Sequence, residues 1–356
     1  MKVGMLTSGG DCQALNAAMR GIAKCLFNFD KEVAIYGFSY GYQGLINKKY
    51  RMLSENDFSG ILNIGGTILG SSRTPFKTIG NIENGVDKVK EMKKTYHDLG
   101  LDVLVVLGGN GSHKTANLLK NEGLNIITLP KTIDNDLWGT DITFGFQSAV
   151  DIATGCIDCI HTTASSHGRV FIVEVMGHKV GWLTLCAGIA GGADIILIPE
   201  VPYSIDAVIS AINERERKGK RFTILAVAEG AISKEDALLS KKDYRKKKSK
   251  SKFPSISYEL ADEISTKSGK EVRVTVPGHM QRGGKPDSYD RVLATRLGAQ
   301  AGLSILAGEY GYMMGYVNGE IVKIPLEDVA GKLKSVPSDA HILKEVKALG
   351  ISLGDE

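Results

Sequence analysis

Along the whole chain, short apolar runs alternate with stretches whose apolar residues recur at helical spacing. The runs Val3–Leu6, Val33–Phe38, Val103–Leu107 and Ile126–Leu129 predict buried strands. Helical periodicity at Leu15–Asn28, Val86–Tyr96 and His113–Lys120 separates them. The pattern then restarts. Helices are expected at Gln147–Thr162, from Gly181 to Gly188, and at Ile205–Arg217, Ile256–Lys267 and Tyr289–Leu306. Strands are expected at Val170–Val175, Ile195–Ile198, Phe222–Ala228 and Val272–Val276. Near the end, Tyr312–Val317 and Glu320–Ile324 flank Asn318-Gly319, a dipeptide that favours a tight primed hairpin turn. Strands alternating with helices give parallel sheets, so the fold class is α/β, doubly wound in its first part. The restart predicts two such units, with a boundary just after Asp134-Asn135-Asp136.

A length of 356 residues agrees with about two domains. Hydrophobic residues make up 43% and charged residues 24%, ordinary proportions for a globular protein. The 42 glycines cluster in loops after apolar runs, as in proteins that bind nucleotides or sugar phosphates. Net charge is +4, and much of it lies in Lys241–Lys252, where Lys and Arg dominate and Asp243 is the one acid. That segment reads first as a solvated surface insertion and second as a polyanion-binding patch. Apart from Tyr244 it has no interleaved aromatics for base stacking, so no nucleic-acid partner is expected. Five cysteines at no framework spacing suit a reducing cytoplasm. Cys156 and Cys159 lie on an apolar helical pattern and are expected as buried core thiols. No apolar run is long enough for a membrane span, and no signal peptide is read before the strand at Val3.

Chemistry concentrates where strands end. Thr7-Ser8-Gly9-Gly10-Asp11 and Gly108-Gly109-Asn110-Gly111-Ser112 each join a strand to a helix. Their glycines would let backbone N–H groups approach a phosphate, though the first also reads as a plain tight turn. Ser112 could cap its helix or touch phosphate, and Asn110 could reach phosphate or magnesium. Neither loop is Gly-x-Gly-x-x-Gly or a Walker sequence, which argues against a Rossmann dehydrogenase and a P-loop enzyme. Pro130-Lys131-Thr132-Ile133-Asp134-Asn135-Asp136 sets two carboxylates two residues apart after a buried strand. That is either an Asx-turn or a general base beside a metal-holding partner. Further polar groups stand near strand ends: Arg73, Arg169, Met176-Gly177-His178, Glu229, Arg273, and Gly278-His279-Met280-Gln281-Arg282. Arginine forks fit phosphates, and a carboxylate fits sugar hydroxyls.

Six ordered motifs resemble the phosphofructokinase family from residue 1 to about 305. They are Leu6–Asp11, Gly70-Ser71-Ser72-Arg73, Gly108–Ser112, Lys131–Asp136, Val173-Glu174-Val175-Met176-Gly177, and Gly278-His279-x-Gln281-Arg282-Gly283-Gly284. The resemblance implies two Rossmann-like three-layer α/β/α domains with the active site in the cleft between them. It divides the chain into a donor-binding domain, 1–138 completed by about 252–305, and a fructose 6-phosphate domain, 139–251 completed by part of 306–356. The implied reaction is magnesium-dependent transfer of a phosphoryl group from ATP to the 1-hydroxyl of fructose 6-phosphate. The alternatives are pyrophosphate as donor, or a non-catalytic sugar-phosphate sensor.

Carried over by the same resemblance, Asp134 is the base, helped by Asp136, Thr132 and Arg73. Gly10, Arg73, Thr74, Gly109, Asn110, Gly111 and Ser112 hold ATP. Thr132, Asp134, Arg169, Met176, Gly177, His178, Glu229, Arg273, His279 and Arg282 hold the sugar phosphate. Arg169 and Arg273 are expected from a neighbouring subunit, which implies a homodimer or homotetramer with shared sites. Three departures stand out. Gly111 favours ATP while Lys131 is typical of pyrophosphate users, a mixture that resembles a third subgroup. Asn110 replaces the usual Asp, so magnesium would rest mainly on phosphates and on Asp134 and Asp136. His178 stands where many relatives have Arg, with Lys179 beside it.

Overall fold

The computed structural model describes residues Met1–Glu356. In chain order the strands are β1 (Lys2–Ser8), β2 (Ala34–Phe38), β3 (Tyr50–Leu53), β4 (Ile82–Glu83), β5 (Val86–Asp87), β6 (Val103–Gly108), β7 (Ile126–Pro130), β8 (Val170–Val175), β9 (Ile195–Leu197), β10 (Thr223–Ala228), β11 (Val272–Thr275), β12 (Tyr312–Val317) and β13 (Glu320–Pro325). The chain folds as two compact units. The first comprises Met1–Ser148 and Arg282–Lys334; the second comprises Ala149–Gln281 and Ser335–Glu356.

The first unit holds a seven-stranded sheet in the order β13-β12-β7-β6-β1-β2-β3. β7, β6, β1 and β2 run parallel, and β3 and β13 are antiparallel edges. β1 and β6 are buried over almost their whole length, which is why they read as unbroken apolar runs. From β1 the chain continues outward to β2, and from β6 in the opposite direction to β7. The loops after β1 and β6 therefore meet at a topological switch point, where open α/β sheets bind ligands. The Asn318-Gly319 turn forms as expected, with φ of +50° and +89° at its two central residues and Val317 paired with Glu320.

The second unit has a four-stranded sheet, β11-β8-β10-β9, all parallel. Helices Ile205–Arg217 and Ile256–Ser268 cover one face through Val208, Ile212, Leu260 and Ile264. β8 and β10 flank this sheet's own switch point. The C-terminal segment adds helix His341–Ala348, and Ser352 pairs beside β9.

Several expectations need correction. Residues 252–281 belong to the second unit, because β11 pairs with β8 and its preceding helix covers that sheet. Residues 306–334 belong to the first unit, because β12 pairs with β7. Helix Ser288–Leu306 packs on helix Leu15–Phe29 at a close approach: a Cβ at Gly21 would lie 2.6 Å from the Thr295 carbonyl oxygen. The segment before β3 contains a short helix, Tyr42–Ile46, and Val86 opens a short strand instead of a helix. The basic segment is a ten-residue helix, Lys241–Lys250, with no buried residue, held at its start by the Ser240 side chain. Cys156 is half-buried, but Cys159 is exposed and is not a core thiol. Two residues beyond fully buried Ile157, it is turned about 200° round the helix. No helix is long and apolar enough to cross a membrane.

Candidate active site

The first glycine loop owes its shape to Gly9, at φ +88°, and is pinned by the segment carrying Arg73. Gly9 N donates to the Ser72 carbonyl at 3.0 Å, Ser71 Oγ donates to the Gly9 carbonyl at 2.6 Å, and Thr7 Oγ1 donates to the Gly70 carbonyl at 2.9 Å. This network sets exposed Arg73 and half-buried Thr74 beside Gly9 and Gly10, although more than sixty residues separate them in sequence. Arg282 joins them: its Nη1 donates to the Asp11 carbonyl at 3.0 Å, and a Cβ on Gly10 would sit 2.8 Å from the same nitrogen. A residue expected at the sugar phosphate thus packs against a residue expected at the donor. Cys12, within this loop, is fully buried, and burial pushes its thiol up to about 12, so it stays protonated.

The second glycine loop is shorter than expected, because helix Asn110–Asn121 begins inside it. Gly109 is the N-cap, and Ser112 lies in the first turn instead of capping it. Gly109 has no side chain to accept from that turn, so the backbone N–H groups of Asn110, Gly111 and Ser112 have no side-chain cap. An uncapped helix start favours an anion by dipole and by donors together. A Cβ at Gly108 would run into Ser112, which is why this turn needs glycine. A Cβ at Gly111 would meet nothing within 4 Å, so that position opens onto free space. Asn110 is tied by its amide nitrogen to the Lys332 carbonyl at 2.6 Å.

Two residues behind this loop carried no sequence signal of function. Tyr42 is fully buried and donates to the Ser112 carbonyl at 2.8 Å. His113, also fully buried, has its Nδ1 2.9 Å from the Gly109 carbonyl, so Nδ1 carries the proton. Burial drives this imidazole down to about 4. It is neutral in the folded protein, whereas in the unfolded chain it gains a proton as pH falls below the usual imidazole value. Stability is therefore unaffected above about 6.5 and is lost as pH falls from there toward 4. The loss is bounded by about 3 kcal/mol, the energy of that shift. Thermal unfolding of the wild type and of His113→Asn from pH 7 to 4.5 checks this. The acid-induced fall in Tm is expected to be smaller in the variant, whatever its Tm at pH 7.

The acid loop alternates strictly. Ile133, Asn135 and Leu137 are buried, whereas Thr132, Asp134 and Asp136 are part-exposed. The two-residue period that put two carboxylates in the loop therefore also puts them on one face. Asn135 takes a left-handed φ of +52°, and its Oδ1 accepts from Thr143 N at 3.1 Å. Thr132 Oγ1 accepts from Asp134 N at 3.1 Å, closing a small turn. Lys131 is buried and its ammonium is held on the Gly10 carbonyl. Burial lowers it to about 8, with Arg282 adding to the fall and the carboxylates Asp11 and Asp134 opposing it. Acid loop and both glycine loops thus converge, with one buried lysine between them.

In the second unit, Met176, Gly177, His178 and Glu229 gather at the C-terminal ends of β8 and β10. Glu229 N donates to the Val175 carbonyl at 2.9 Å. Met176 N donates to Gln281 Oε1 at 3.1 Å, which joins the Gly278–Gln281 turn to the same place. A Cβ on Gly230 would strike the His178 carbonyl, so these loops are in close contact. His178 and His279 are exposed. Arg169 and Arg273 are not at this end. Arg169 precedes the first residue of β8 and Arg273 lies beside Phe171 in register. Both pair with Glu271, Arg169 through Nε at 2.6 Å, and the Arg169 guanidinium holds that carboxyl below its usual range. The six residues of β8, about 20 Å of extended chain, separate Arg169 from Met176.

No group of three or more His, Cys, Asp or Glu side chains forms a metal cage. Magnesium does not need one, since it usually binds through one or two carboxylates plus substrate phosphates. Asp134 and Asp136 on one face suit that mode.

Glycine loops at a switch point, an uncapped helix start, a buried lysine and a carboxylate pair define an α/β enzyme that handles phosphate. The chain matches the phosphofructokinase family over residues 2–305. It is 53% identical to the ATP-dependent 6-phosphofructokinase of Spirochaeta thermophila, over 99% of this chain and 97% of that protein. It is 45% identical to ATP-dependent 6-phosphofructokinase 3 of Bacteroides thetaiotaomicron, over 99% and 100%. It is also 42% identical to the pyrophosphate–fructose 6-phosphate 1-phosphotransferase of Amycolatopsis mediterranei, over 97% and 99%. Among solved structures, Pichia pastoris phosphofructokinase in the T-state matches with a TM-score of 0.80 at 32% identity, over 99% of this chain and 36% of that longer one. The chain belongs to the phosphofructokinase family.

Proposed function

We propose that this protein is an ATP-dependent 6-phosphofructokinase, transferring the terminal phosphoryl group of ATP to the 1-hydroxyl of fructose 6-phosphate. The observation that carries the reading is the open space at Gly111 in the uncapped first turn of helix Asn110–Asn121, which leaves room for a nucleotide on a phosphate-binding helix start. Lys131, the residue that points toward pyrophosphate, is held back on the Gly10 carbonyl and does not fill that space.

Phosphoryl transfer needs alignment and charge neutralisation more than covalent help. In this reading Asp134 takes the proton of the sugar 1-hydroxyl, and Thr132 and Asp136 flank it. Gly10, Gly109, Gly111 and Ser112 give backbone donors to the ATP phosphates, and Arg73 and Lys131 add positive charge. Magnesium, bound with ATP and held by Asp134 or Asp136, with Asn110 as a weaker neutral ligand, supplies further charge neutralisation on the phosphates. Met176, Gly177, His178 and Glu229 hold the sugar, and Arg169, Arg273, His279 and Arg282 hold its phosphate.

Arg169 and Arg273 stand at the opposite ends of their strands from Met176 and Glu229, so one chain does not bring all of these to one sugar. They serve the site of a second copy, which makes the enzyme a homodimer or homotetramer with shared sites. Mixing tests activity and sharing together. Asp134→Asn and Arg169→Ala should each be nearly inactive. Co-refolded in equal amounts, they should recover about a quarter of wild-type fructose 1,6-bisphosphate formation, because a shared site then assembles without either change in about one case in four. No recovery in well-folded mixed oligomers would contradict sharing. No product from the wild type would contradict the function.

A further inference from the structure

The segment Lys332-Leu333-Lys334, about two hundred residues beyond the acid loop in sequence, is laid across it. Leu333 bridges Leu137 in antiparallel register, and Lys334 N donates to the Asp136 carbonyl at 3.0 Å. The Lys334 ammonium donates to Asn135 Oδ1 at 2.9 Å, the Thr140 carbonyl at 2.8 Å and the Asp141 carbonyl at 2.8 Å. All three of its hydrogens are thereby used. One residue pair earlier in the same strap, the Lys332 carbonyl accepts from Asn110.

This geometry addresses a need of the site. Asp134 and Asp136 flank Asn135, a non-glycine residue in left-handed backbone, a conformation that persists only where its surroundings enforce it. Asn135 is enforced through its side-chain oxygen, on which Thr143 N and the Lys334 ammonium converge. The ammonium also closes the 135–141 turn by binding both carbonyls at its far end. Through Lys332 and Asn110, the strap fixes the start of the donor helix as well.

We propose that Lys334 is a positioning residue for phosphoryl transfer: it locks the left-handed Asn135 turn so that Asp134 is presented to the acceptor hydroxyl, and its strap ties that turn to the donor helix. The proposal rests on the phosphofructokinase reading of the site and deepens it. Burial lowers the ammonium to about 8, with Asp141 and Asp136 opposing, so at neutral pH the charged form with three hydrogens prevails. Arginine cannot replace it, because a planar fork does not direct three donors from one nitrogen to three acceptors.

The test is steady-state kinetics of the full-length Lys334→Met variant beside the wild type, with ATP, magnesium and fructose 6-phosphate at neutral pH. Folding is checked by circular dichroism and a urea midpoint. A misplaced base costs turnover and not substrate binding, so kcat should fall on the order of 100-fold with both KM values within about threefold. Lys334→Ala should regain kcat saturably with added propylammonium, which restores the missing atoms, and Lys334→Arg should stay impaired. A folded Lys334→Met variant with kcat within about twofold of wild type, or with KM effects alone, would overturn the positioning role. If Lys334→Met fails to fold, the alanine variant decides: rescue of kcat supports the proposal and absence of rescue overturns it. Wild-type protein without turnover would refute the function itself, whereas an active wild type with an unaffected variant refutes only the role of Lys334.

Discussion

Replacing Asp134 with Asn should lower kcat by roughly 10³-fold, the middle of the range that a positioned general base contributes, with affinities for ATP and fructose 6-phosphate nearly unchanged. The amide is isosteric and keeps the loop intact, because the loop is held by its neighbours. Thr132 Oγ1 accepts from the backbone N of residue 134, Asn135 is fixed by Thr143 and Lys334, and Ile133 and Leu137 are buried on either side. What should disappear is the proposed proton acceptor. Direct binding measurements on the variant, set against single-turnover rates, separate the two effects. A tenfold or smaller loss would mean that another group takes the proton, and weakened sugar binding in step with the rate would mean that Asp134 holds substrate instead.

Gly111→Asp should remove ATP use, with kcat/KM for ATP down by at least about 100-fold, the size of one charge-assisted contact turned into repulsion. The fold should tolerate the change. Gly111 lies in the first turn of a helix with no acidic residue there, a Cβ meets open space, and an acid at that position favours the helix dipole. The new carboxylate would occupy the room left for the nucleotide and repel its phosphates. Pyrophosphate is shorter, needs none of that room, and finds Lys131 nearby. Its use should be retained or should emerge. Rates with both donors on the folded variant check this, and an unchanged preference for ATP would show that Gly111 does not set the donor.

The sequence made legible what depends on local periodicity. Helix Ile205–Arg217 and hairpin β12–β13 fall where the pattern puts them, and the acid loop's alternation gives both its chemistry and its shared face. Non-local packing was not legible. Nothing near Lys334 or His113 marks them, since their partners lie far away in sequence or beneath the loop. Ser112 looked like a cap because serine usually caps, but Gly109 is the cap, and the missing side chain is what leaves the first turn without a side-chain cap. Arg169 was read as flanking a strand and Arg273 as lying in one, but which end of the sheet they stand near depends on strand direction in the fold. That distinction is what separates them from Met176 and Glu229. Residues 252–281 went to the wrong unit because the pairing of β11 with β8 spans about one hundred residues and leaves no local trace.

The decisive measurement is the rate of fructose 1,6-bisphosphate formation by the wild-type protein with magnesium, with ATP and pyrophosphate compared over a range of concentrations. Turnover is expected with ATP, and little or none with pyrophosphate. Turnover with pyrophosphate but not ATP would contradict the assignment of donor to Gly111 over Lys131, and turnover with neither would contradict the kinase reading altogether.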